Sequence, residues 1–69
     1  MNFFENRVLE NITPALNAGE RAEFFENSGC LFLECGLSTL SKIVRILAKM
    51  GAGKFKVNSV GNEFAIDFI

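Results

Sequence analysis

Histidine, tyrosine and tryptophan are all absent from this chain of 69 residues. Without histidine the commonest general base near neutral pH is gone, and so is the usual nitrogen ligand of zinc. Cysteine is scarce. Cys30 and Cys35 lie five residues apart in a run that reads as a strand. Five strand steps span roughly 16 Å, beyond the reach of a disulfide, and the odd spacing turns the two thiols to opposite faces. They read as reduced thiols behaving as small apolar side chains, so no metal and no cofactor is expected. Proline occurs once, at Pro14. No apolar stretch approaches the length that spans a bilayer. The first residues lack the basic start and apolar run of a signal peptide, and a cytoplasmic, reducing setting is expected. Neither sign of charge dominates: seven basic against eight acidic residues leave a net charge of −1. Composition therefore exerts no general pull toward nucleic acid or membrane.

What the chain does have is phenylalanine, eight copies in one small domain covering residues 1–69. A chain of this size is near the lower limit for a self-sufficient core. Small scaffolds usually add a disulfide, a metal or a partner. With the first two set aside, association is the expected source of extra stability. The charges are also unevenly placed. Residues 1–36 carry six glutamates against Arg7 and Arg21, whereas residues 37–69 carry Lys42, Arg45, Lys49, Lys54 and Lys56 against Glu63 and Asp67.

The clearest periodic signal is residues 38–51. Leu40, Ile43, Val44, Leu47 and Met50 recur at the three-and-four spacing of one helix face, with Lys42, Arg45 and Lys49 opposite. Ser38 or Thr39 is the expected N-cap and Gly51 the stop. Upstream, Phe4, Val8, Ile12 and Leu16 predict a helix over residues 2–16, kinked or broken at Pro14. A second helix is expected over residues 17–29. Asn17 and Glu20 resemble a capping box there, Ala18, Ala22 and Phe25 form a narrow stripe, and Phe24 falls off it. Residues 30–35, apolar on both faces, predict a strand. Phe55 and Val57, then Phe64, Ile66 and Phe68, alternate with polar residues around Val60, Gly61 and Asn62, which predicts a hairpin.

The expected fold is thus α+β: two N-terminal helices, then strand, helix and β-hairpin. The expected sheet has three strands in the order 1-3-2, covered by helices. Its first strand stands at an edge where a second copy could extend it to six strands.

No frame for catalysis is visible. Ser28, Ser38, Ser41 and Ser59 have no evident base beside them. Gly51, Ala52, Gly53 and Lys54 follow a helix and open a strand, the reverse of a phosphate loop, and Phe55 stands where that loop needs Ser or Thr. Residues 37–68, a helix ending in Gly-Ala-Gly-Lys-Phe and then a hairpin, resemble the end of vinyl-reductase-type small-ligand domains. That resemblance spans under half of the chain and implies an apolar-ligand role without assigning residues to it.

The leading expectation is a small non-enzymatic protein-protein interaction module: an adaptor or an inhibitor of a larger protein, of the kind phages and mobile elements encode, and a homodimer. Its candidate interface is Phe3, Phe24, Cys30, Phe32 and Ile69, apolar residues pointing away from the expected core. One alternative is an apolar-ligand carrier. Another is a nucleic-acid binder using a basic patch of Lys42, Arg45, Lys49, Lys54 and Lys56.

Overall fold

The computed structural model describes residues 1–25 and 28–69. Two helices lie on one face of a four-stranded antiparallel sheet. The chain runs α1 (Phe3–Ile12), a 3-10 turn (Thr13–Ala15), β1 (Arg21–Phe25), β2 (Cys30–Glu34), α2 (Leu37–Lys49), β3 (Phe55–Val60) and β4 (Glu63–Phe68). The sheet order is β1-β2-β4-β3.

Helix α1 starts at Asn2, whose side-chain oxygen accepts the Glu5 N–H at 2.8 Å and so satisfies one of the donors a helix start leaves open. Val8 and Ile12, one turn apart, are fully buried. Pro14 cannot continue the α-helical ladder. The helix ends at Ile12 and the chain tightens into the 3-10 turn, with the Thr13 hydroxyl donating to the Leu9 carbonyl at 2.6 Å.

The expected second helix is replaced by a strand, which overturns both the two N-terminal helices and the three-stranded sheet. Residues 26 and 27, inside that expected helix, lie outside the described residues. Gly19 takes φ +84°, which stops a helical path. From Arg21 the polar-apolar alternation of a strand takes over, with Ala22 and Phe24 turned to the core and Arg21 and Glu23 to solvent. β1 pairs with β2 in the register Arg21↔Glu34 to Phe25↔Cys30. Phe24, expected outside, is 7% exposed and belongs to the core, while Phe25 is 60% exposed. The edge of β2 that was expected to meet a second copy is occupied by β1, so the route to a six-stranded dimer is closed.

The α2 cap also differs. The helix begins at Leu37 with Gly36 as N-cap, which has no side chain to offer. Glu20 supplies the carboxylate from the loop before β1. Its Oε2 accepts the Gly36 N–H at 2.9 Å. Its Oε1 accepts the Asn17 N–H at 2.8 Å and the Thr39 hydroxyl at 2.7 Å. Asn17 Nδ2 completes the ring by donating to Thr39 Oγ1 at 3.3 Å. These bonds to Gly36, Asn17 and Thr39 favour the ionised form and hold Glu20 below its ordinary value. An anion at a helix N-terminus is also favoured by the helix dipole. At the other end Gly51, φ +72°, closes α2.

β3 and β4 form a hairpin turned by Gly61 and Asn62, with Phe55↔Phe68 and Val60↔Glu63 as outermost pairs. β4 pairs with β2 from Cys30↔Asp67 to Leu33↔Phe64, so it lies between β2 and β3. One buried cluster joins Val8 and Ile12 of α1, Ile43 and Leu47 of α2, and Phe24, Leu31, Leu33 and Ile66 of the sheet. Phe68 packs edge-on against Phe4 with centroids 5.1 Å apart, closing the space beneath α1.

Two predictions follow from this arrangement. Phe24→Ala should cost about 3–5 kcal/mol in urea unfolding, as a large buried ring does, whereas Phe25→Ala should cost about 1 kcal/mol, the value of an exposed aromatic contact; a helix over residues 17–29 would reverse the two. Glu20 is depressed in the folded state, so its contribution is complete above the ordinary value of 4.5 and disappears as the pH falls through the lower folded value. Glu20→Gln should therefore lower the urea midpoint at neutral pH and flatten its decline with acid.

Candidate functional site: the open face of the sheet

The strands alternate, so burying Ala22, Phe24, Leu31, Leu33, Phe64, Ile66 and Phe68 on the helix side sends their neighbours to the other side. No helix among the described residues covers that second face. The ladders order it into rows. Glu23, Phe32, Ala65 and Asn58 form the middle row across the four strands, and Phe25, Cys30, Asp67 and Lys56 form the next. On the far side of the middle row, Arg21 stands opposite Glu34 and Val60 opposite Glu63. Glu34 and Glu63 follow directly on the last β2–β4 pair, Leu33↔Phe64.

The centre of this face is apolar and aromatic. The Phe25 and Phe32 rings meet edge-to-face with centroids 4.7 Å apart. Ala65, beside Phe32, is only 6% exposed yet stands apart from the core cluster. Around this centre Glu23, Glu34, Glu63 and Asp67 outnumber Arg21 and Lys56. A surface hollow of about 280 Å³ opens over it, lined by Arg21, Glu23, Phe25, Phe32, Glu34 and Glu63. Arg21 approaches Glu23 at 3.9 Å, with both side chains largely in water, where such a pair adds little stability. Asp67 accepts from Asn58 Nδ2 at 3.1 Å.

Neither thiol is primed for chemistry. Burial, then the hydrogen bond to Asp67 and its negative charge, push Cys30 up. Burial, then the charge of Glu20, push Cys35 up. Both are therefore held as protonated, weakly nucleophilic thiols at neutral pH. Both are free of disulfides.

The five candidate interface residues do not form one patch. Cys30 and Phe32 share the open face. Phe24 is in the core. Phe3, 76% exposed, sits on α1 with the Arg7 guanidinium 5.9 Å from its ring centroid. Ile69, 87% exposed, follows the end of β4 and donates its N–H to the Lys54 carbonyl at 3.0 Å. Phe25, which the helical reading turned inward, is the aromatic the sequence pattern missed; the period-two run Arg21, Ala22, Glu23, Phe24 was the signal for it. The basic residues divide as well. Lys42, Arg45 and Lys49 lie exposed along α2, in the helical layer. Lys56 alternates onto the open sheet face opposite Asp67, and Lys54 lies in the loop before β3.

No helix of the described residues is long and apolar enough to cross a membrane, and no group of three or more His, Cys, Asp or Glu side chains among them could hold a metal ion. Comparison with protein-family models, with curated proteins and with solved structures finds no match.

Glu34 and Glu63 come one step beyond the last β2–β4 pair, Leu33↔Phe64, on adjacent strands, where a cross-strand pair of opposite charge would add stability. Glu63→Lys should raise unfolding stability by about 0.2–1 kcal/mol, read as a higher urea midpoint with an unchanged slope.

Proposed function

We propose that this chain is a small, non-enzymatic protein-binding module that docks through the open face of its sheet. The observation that carries the reading is the Phe25–Phe32 pair, an aromatic contact on the uncovered face with Phe25 60% exposed. Exposed aromatic clusters with a polar surround are how protein-binding surfaces concentrate affinity. An adaptor and an inhibitor of a larger protein both fit this description, and a reducing cytoplasmic setting suits two protonated thiols. Hollows of about 510 and 430 Å³ border the helices, but they are open to solvent and do not enclose an apolar ligand. The hollows that border the helices open at the surface, between Leu40, Val44 and Val57 in one case and Phe4 and Met50 in another. The basic residues are split between two layers.

The test is site-specific photocrosslinking in the cells that make the protein. A benzoylphenylalanine in place of Phe25 should give discrete adducts with a second polypeptide. The same probe in place of Lys42, on the outer face of α2, should not. Adducts only at Lys42 would move the binding surface to the helices, and an adduct with twice the mass of the chain would identify the partner as a second copy.

A further inference from the structure

We infer that the segment received by the open face is basic, and that it lays an arginine or lysine side chain in the hollow over Phe32. This rests on the reading of the sheet face as a docking surface and adds the chemistry of the partner. Three features of the hollow converge on a long cationic side chain. Its floor is aromatic: the Phe32 and Phe25 rings can cover the alkyl stem and attract the charge above them. Its walls are acidic, with Glu23, Glu34 and Glu63 against Arg21 alone. Its size, about 280 Å³, falls just under the roughly 300–1,000 Å³ of small-molecule pockets and suits one side chain better than a separate ligand.

The placement of the carboxylates sharpens the point. Glu34 and Glu63 come from different strands and flank the same end of the β2–β4 ladder. A guanidinium standing between them can donate to both. Arginine suits the position better than lysine because its planar fork can stack on a ring and bridge two carboxylates together. Metal is a poor occupant, since no cluster of ligating side chains among the described residues could hold one. Nucleic acid and anionic membrane would bring like charge to this face. The occupant is therefore a basic segment of another protein, with apolar neighbours to cover Phe25.

The test is selection from a random peptide library displayed on phage, with the whole protein immobilised. Enriched peptides should carry arginine or lysine beside apolar residues. Their affinity should fall roughly tenfold or more in the Glu34→Gln, Glu63→Gln double variant and should weaken between roughly 50 and 500 mM salt. Neither side chain belongs to the core, so that variant should fold like the parent, which circular dichroism and a urea midpoint check. Peptides that bind the double variant as tightly, yet lose binding to Phe32→Ser, would overturn the cationic inference and leave the docking face standing. Peptides indifferent to the carboxylates and to Phe25 and Phe32 alike would remove both. A library yielding no binder to the parent protein would also count against the inference.

Discussion

The constraint that governs this molecule is how much sheet two short helices can cover. Four strands spaced about 4.8 Å apart make a sheet some 15 Å across. Two helices packed about 8–10 Å apart cover that width once. Helices α1 and α2, ten and thirteen residues long, are both committed to the same face, where Val8, Ile12, Ile43 and Leu47 meet Phe24, Leu31, Leu33 and Ile66. The other face stands in water or against a partner. Most of it is built for water, with Arg21, Glu23, Glu34, Lys56, Asn58 and Asp67. The exceptions are the central strip of Phe25, Phe32 and Cys30, and Val60 on the edge strand. Helix coverage thus determines where apolar surface is left over.

The loop and strand between residues 17 and 25 hold that arrangement in place. Glu20 fastens the start of α2 to the loop before β1 through bonds from Gly36 and Thr39, which fixes α2 over the sheet and carries β1 alongside β2. The sequence pairing of Asn17 with Glu20 looks like the start of a helix, and the local bond it implies does form: Glu20 accepts the Asn17 N–H. The helix that Glu20 caps, however, is α2, sixteen residues downstream of it. A capping signal is local in sequence, but a carboxylate serves whichever helix start the fold brings to it. That long-range choice is invisible without the tertiary contact. The strand itself was legible. The alternation over Arg21, Ala22, Glu23 and Phe24 and the break at Gly19 both oppose a helix, and the sparse Ala18, Ala22, Phe25 stripe was too narrow to outweigh them.

Where the periodicity was strong, sequence and structure agree closely. Residues 38–51 carry a full apolar stripe and a glycine stop, and α2 follows them with Ile43 and Leu47 buried. The turn at Gly61 and Asn62 and the alternation around it read directly as the β3–β4 hairpin. The candidate site was less legible, because a surface belongs to several strands at once. Cys30 and Phe32 could be placed on one face from their spacing alone. Their neighbours could not. Phe25 joins Phe32 only through the β1–β2 register, and Glu63 reaches Glu34 only because β4 inserts beside β2. Treating exposed apolar residues as one patch merged Phe3, Phe32 and Ile69, which lie on different parts of the molecule, with Phe24, which is buried.

The charge pattern of the open face bears on which partners it admits. A bare aromatic strip on a flat sheet invites stacking against a second identical strip. Here Glu23, Glu34, Glu63 and Asp67 surround the strip, so two such faces brought together would press carboxylates against carboxylates around the greasy centre, at a cost that grows as water is excluded. The same carboxylates would draw in a partner of opposite charge from a distance, before any ring contact forms. Affinity and exclusion would then reside in different residues of one surface. On the proposed reading, Phe25 and Phe32 would supply an attraction that does not discriminate among apolar surfaces, and the acids around them would favour a basic partner over a copy of the chain.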